Sequence, residues 1–129
     1  MEPRILSEYD SERNILFTED HGELGSEEEV DAFLARYAKI FEDLGKKAYL
    51  VSNIDHLKVG AAVAEYYGRH ASAVVDRYML GFARWGTDNW ARMTVRTSSR
   101  KADMPTRIFD TREEAVEEIE RLKAAAGDA

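Results

Sequence analysis

The stretch Arg84-Trp85-Gly86-Thr87-Asp88-Asn89-Trp90-Ala91-Arg92 holds both tryptophans of the chain between two arginines. An arginine takes a carboxylate or phosphate through a bidentate fork, and an indole supplies an apolar wall. Thr87-Asp88 reads as the cap of a helix whose first N–H groups favour anions. Trp and Arg are also the residue types that most often dominate protein interfaces. The same residues therefore fit two uses: a pocket for a small anionic or lipid-like ligand, or a face that meets a protein partner or a second copy of the chain. On a helix, Arg92, Arg96 and Arg100 stand four apart and prolong the constellation as a basic stripe. The plain alternative is that the tryptophans pack in the core or a dimer contact, Asp88 is only a cap, and the arginines are solvated or paired.

The other reactive side chains are scattered. Asp55-His56 follows a short apolar run, where ligand clefts of parallel sheets open, but a residue pair at the start of a helix has the same look. His21 lies in Glu19-Asp20-His21-Gly22-Glu23, read as a solvated acidic turn without calcium-loop spacing. His70 follows Tyr66-Tyr67 and reads as a half-buried packing residue. An enzyme using Asp55 and His56 with Arg84 as base and anion clamp would need these side chains to converge. There is no thiol, no Gly-x-Ser-x-Gly elbow, no glycine-rich phosphate loop and no pair of histidines at helical spacing. No catalytic residue, cofactor or metal centre is expected.

Charge narrows the partners. The chain has 129 residues, 44% hydrophobic and 33% charged, with no cysteine and a net charge of -7. Residues 77–112 carry eight Lys/Arg against three Asp/Glu, +5, whereas residues 1–45 carry four against thirteen, -9. One basic strip on an acidic protein fits an anionic or protein partner, and nucleic acid is disfavoured because a duplex binder is usually basic overall. No run approaches the roughly 18 apolar residues of a membrane span, and the opening MEPRILSEYD lacks the pattern of a secretory signal, so a cytoplasmic address is expected. Without cysteine there is no disulfide scaffold.

Several elements must position these residues. Arg4–Tyr9 and Asn14–Thr18 read as short strands around a polar turn. Ser26 followed by Glu27, Glu28 and Glu29 predicts a capping box, and Val30, Phe33, Leu34, Tyr37, Ile40, Phe41 and Leu44 give a helical stripe that stops at Gly45. Ala48–Val51 reads as a buried strand ending at Ser52-Asn53. A second helix runs from Val59 and closes near Gly68, and Tyr78–Ala83 is another interior strand. Residues 88–101 alternate as an edge strand would, but the cap and the alternating order favour a helix. Thr106–Phe109 is a brief strand, and Thr111-Arg112-Glu113-Glu114 is a second capping box before Ala115, Val116, Ile119 and Leu122. No linker divides the chain, so one domain over 1–129 is expected.

This order, ending in Arg107-Ile108-Phe109-Asp110-Thr111-Arg112-Glu113-Glu114-Ala115, resembles the STAS/SEC14-like small α/β proteins, bacterial single domains related to anti-sigma-factor antagonists. The resemblance implies a mixed, mainly parallel sheet of four to five strands with helices packed against it. It also implies a regulatory or interaction domain, here engaging its partner through the Trp85–Arg100 face. Antagonists of this class are switched by phosphorylation of a Ser or Thr at the start of the helix after the central strand. Here Asn53-Ile54-Asp55-His56-Leu57-Lys58-Val59-Gly60-Ala61-Ala62 offers no hydroxyl, so the phospho-switch is not carried over.

Overall fold

The computed structural model describes residues 3–127. Five strands, β1 (Arg4–Asp10), β2 (Ile15–Leu24), β3 (Ala48–Val59), β4 (Met79–Trp85) and β5 (Ile108–Phe109), form one sheet in sequential order. The β1–β2 pair is antiparallel and the other three pairings are parallel. Helices α1 (Glu27–Leu44), α2 (Ala64–Tyr78) and α3 (Asn89–Lys101) are the crossovers between parallel neighbours, and α4 (Arg112–Ala126) follows β5. Because crossovers of one hand between successive neighbouring strands place their helices on one side, α1, α2 and α3 share a face. α4 covers the other, giving one large core and a smaller one.

Local chemistry explains the ends of these elements. Ser26 Oγ accepts the Glu29 N–H, while the Glu29 carboxylate takes the Gly25 N–H and the Ser26 hydroxyl. Gly45 closes α1 in the left-handed conformation, φ 76°, which costs a residue without Cβ nothing. Thr111 and Glu114 cap each other's backbone at the start of α4. Residues 89–101 are helical, as the cap and element order require, although the alternation of side chains reads equally well as strand.

Three expectations need correction. β2 runs on through Glu19–Glu23 to Leu24, so the acidic segment is strand rather than turn. Its alternation puts Leu16, Thr18, Asp20, Gly22 and Leu24 inward and Phe17, Glu19 and His21 on the opposite face. β3 likewise passes through Asn53–His56 to Val59, so Asp55-His56 lies within a strand and not at a helix start. A register shift between Glu19 and His21 marks a bulge, with Ile54 and Asp55 of β3 opposite the single Asp20 of β2. Finally, α2 starts later than expected and does not close at Gly68: that glycine lies mid-helix, with the Ser98 carbonyl of α3 in the space a Cβ would fill. The glycine is a close-approach residue between two helices rather than a stop.

Candidate functional site

The expected site residues divide among three places. Arg84 alternates with Phe82 toward the large core and is buried. Its Nη1 donates to Ser99 Oγ at 2.9 Å and to the Thr106 carbonyl at 3.1 Å, and the guanidinium stacks on the Phe82 ring. It bounds a cavity of about 40 Å³ together with Asp20, Tyr37, Ser52, Tyr67 and Met104. Across that cavity, Asp20 accepts hydrogen bonds from the Tyr37 hydroxyl and, at 2.9 Å, from Ser52 Oγ. Burial pushes the Asp20 carboxyl up to about 6 against the pull of those two hydroxyls and of Arg84. Burial also pushes the Tyr67 hydroxyl up to about 12 and lowers the Arg84 guanidinium. This is an internal polar network, and Arg84 is not part of any outer face.

At the junction of β4 and α3 the anion-favouring backbone donors are already engaged. Asp55 Oδ1 accepts the N–H groups of Thr87 at 2.7 Å and Asp88 at 2.9 Å, and Asp88 caps the Ala91 N–H at 2.8 Å. Burial raises the Asp55 carboxyl, but the Asp88 N–H, the Asn53 side chain and the Thr87 N–H outweigh it and hold it below its ordinary 3.8. Arg92 Nη1 donates to the Gly86 carbonyl at 2.9 Å and pairs with Asp110 at 2.5 Å. Along the same helix Arg96 is half-buried and Arg100 exposed, so the stripe is not uniformly solvated, and Asn89 is exposed in the first turn.

The two indoles do not form a pair. Trp85 lies half-buried on the α4 side of the sheet, next to the smaller core. Trp90 stands on α3, on the opposite side, with 57% of its surface exposed, and Met93 one turn later is 47% exposed. Parity explains the separation: Trp85 is set by the alternation of β4, whereas Trp90 is set by the helical turn that follows.

Trp90 and Met93 border an apolar groove of about 500 Å³, closed on its other sides by Leu24, Val59, Gly60 and Ala64. It opens at the C-terminal ends of β2 and β3, where ligand and partner sites of parallel sheets form. Thr94, also in its wall, accepts the Val59 N–H at 3.1 Å and donates to the Ala91 carbonyl, fastening α3 to the end of β3. Glu23, Glu29 and Lys58 provide the charge at its rim. Met93, Val59 and Gly60 were the residues sequence reading did not assign to a site. The signal was present as Trp90 and Met93 at i, i+3, since large apolar side chains off the buried stripe of a helix point outward.

His56 is exposed, on the α4 side of the sheet, and its ring stacks on His21. Arg84 faces the other way, so Asp55, His56 and Arg84 do not converge. His70 is exposed and leans on Tyr66, with ring centroids 4.1 Å apart.

Among the described residues, no helix is long and apolar enough to cross a membrane. No protein-family model matches the chain, and no curated protein does. Among solved structures it is similar to the crystal structure of an anti-sigma factor antagonist from Mycobacterium paratuberculosis, with a TM-score of 0.61 and 12% identity over 91% of this chain and 95% of that one. At that identity the likeness is one of fold: the chain has the STAS-like α/β architecture that its order of elements resembles.

Proposed function

We propose that the protein is a non-enzymatic regulatory domain of the cytoplasm that binds a protein partner in the groove between α3 and the β3–α2 junction. The observation that carries this reading is the pair Trp90 and Met93, two large side chains left in solvent one turn apart over an apolar groove. A monomer keeps few such patches unless they meet something. A STAS-like fold shared with a protein whose name describes action on another protein supports the same reading. The rim indicates the partner's chemistry: Glu23 and Glu29 against Lys58, beside the acidic first turn of α1, suit an apolar segment with basic flanks. Anion binding at Arg84–Arg92 lacks comparable support, because Arg84, Arg92 and the backbone donors there are engaged within the chain.

The test is a Trp90→Ala/Met93→Ser double variant. Both side chains are exposed, so stability should stay within about 0.5 kcal/mol of wild type. A partner recovered with wild type should bind the variant more weakly by a factor of roughly 30, the loss of a hot spot worth about 2 kcal/mol. Its binding should also protect the α3 and β3–α2 amides from hydrogen exchange. If the groove instead serves self-association, sedimentation will show a concentration-dependent dimer that the double variant loses. A partner that binds both proteins equally, or wild type that stays monomeric with no partner, defeats the reading.

A further inference from the structure

α4 packs over β3, β4 and β5 and over Ile15 and Phe17 at the start of β2, but not over the polar second half of β2. Three side chains converge on that open surface. Glu19 and His21 are two apart on β2 and therefore share a face. His56 is the in-register neighbour of His21 on the adjacent strand. The two imidazoles stack with centroids 4.6 Å apart and planes 10° apart. Glu19 Oε1 lies 3.1 Å from His21 Nε2 and 3.6 Å from His56 Nε2. The His21 Nε2 atom is buried, and despite that short distance its direction to Glu19 does not make a hydrogen bond, so it has no partner of that kind among the described residues.

We propose that Glu19, His21 and His56 form a binding site for a divalent transition-metal ion of the zinc type. Two imidazole nitrogens and one carboxylate oxygen are the donor set such ions take, whereas calcium and magnesium prefer oxygen alone. With Zn–N and Zn–O bonds near 2.1 Å, the donors of a tetrahedral site stand about 3.4 Å apart. The two Glu19–His distances fall on either side of that value. The donor atoms all lie within 4.8 Å of one another, so the nitrogen-to-nitrogen edge is at most that long. Because an imidazole binds a metal in its ring plane and the two rings stack nearly parallel, His56 must turn out of the stack to aim its Nε2 at the ion, and with 56% of its side chain exposed it has the room to do so. The cation also gives the buried His21 nitrogen the partner it otherwise lacks, and the Glu19 carboxylate neutralises half of its charge.

Three protein ligands leave a fourth position open. Glu19 and His56 also line a cleft of about 460 Å³, with Asn53, Asp55, Trp85 and Arg112. Water or the anionic group of a small ligand completes the coordination at the fourth position. The site is independent of the partner-docking reading, since the Trp90 groove lies on the other side of the sheet.

The experiment is calorimetric titration of untagged, chelator-treated full-length protein with zinc chloride, repeated with cobalt(II) for its visible absorption. Wild type should take up one ion per chain, and the cobalt complex should show the intense bands of a four-coordinate site. His56→Ala, an exposed change that leaves the core intact, and Glu19→Gln should each weaken zinc by at least ~10-fold. His70→Ala, a remote exposed histidine, should bind as wild type does. Zinc binding no tighter than the millimolar range, or His56→Ala binding as tightly as wild type, overturns the proposal. So does an equal loss in His70→Ala, which would mark general surface-histidine binding. None of these results touches the Trp90 groove, so the two readings fail separately.

Discussion

Asp20 is the residue whose chemistry the fold changes most. In an unfolded chain its carboxyl ionises near 3.8, and burial beside Tyr37 and Ser52 raises this to about 6 in the native state. The native state therefore binds the proton more tightly. This group's contribution to stability is fully present below about 4 and is lost as the pH rises through about 6. The difference amounts to about 3 kcal/mol. Asp20→Asn, which keeps the shape and removes the titration, should therefore gain about that much relative to wild type between pH 4 and pH 7. Urea denaturation of both proteins at the two pH values checks this, and parallel pH profiles would rule it out. Nothing in Glu19-Asp20-His21 distinguishes the buried carboxylate from its half-buried neighbours. Its partners come from α1 and β3, so only packing reveals it. Arg84 is hidden for the same reason: its position next to Trp85 looks like surface, while its partners Ser99 and Thr106 lie in the following helix and just beyond it.

Among the elements, α2 and α3 show what local pattern can and cannot convey. The capping residues Ser26, Asp88 and Thr111 and the stop at Gly45 could be read directly, because a cap involves only three or four neighbouring residues. Gly68 looked like one more stop. It is instead the point where α2 meets the Ser98 carbonyl of α3. Gly68→Ala would gain helix propensity of about 1 kcal/mol in an isolated helix. Here it should destabilise by ~1–3 kcal/mol, because the backbone of α3 must move away. Chemical denaturation measures the sign, and a stabilised variant would show that the two helices separate freely. β3 has a comparable lesson. Its apolar half, Ala48–Val51, was legible, but its polar half depends on the register with β2 and on the Thr94 clip from α3.

For the whole molecule, the two faces of the sheet divide the labour. α1, α2 and α3 bury the large core and frame the Trp90 groove; α4 alone closes the smaller core of Ile15, Tyr49, Val51 and Ala83 with Ala115 and Ile119. A chain ending at Asp110 would expose that second face. Full burial of each such side chain is worth roughly 1.5–3 kcal/mol, against a total stability of about 5–15 kcal/mol. The shortened chain should therefore lose cooperative unfolding, which circular dichroism on heating would show; a sharp transition would mean that the first core suffices.

The succession of strands and helices along the chain and the caps were determined by the sequence alone, because periodicity and capping are properties of neighbouring residues, whereas the mainly parallel sheet was what the family resemblance implied. Tertiary structure decided the rest: that Trp85 and Trp90 part to opposite sides, that Asp20 and Arg84 share an interior, and that His21 stacks on His56. The face a strand residue takes depends on parity and register, and register is set by partners tens of residues away.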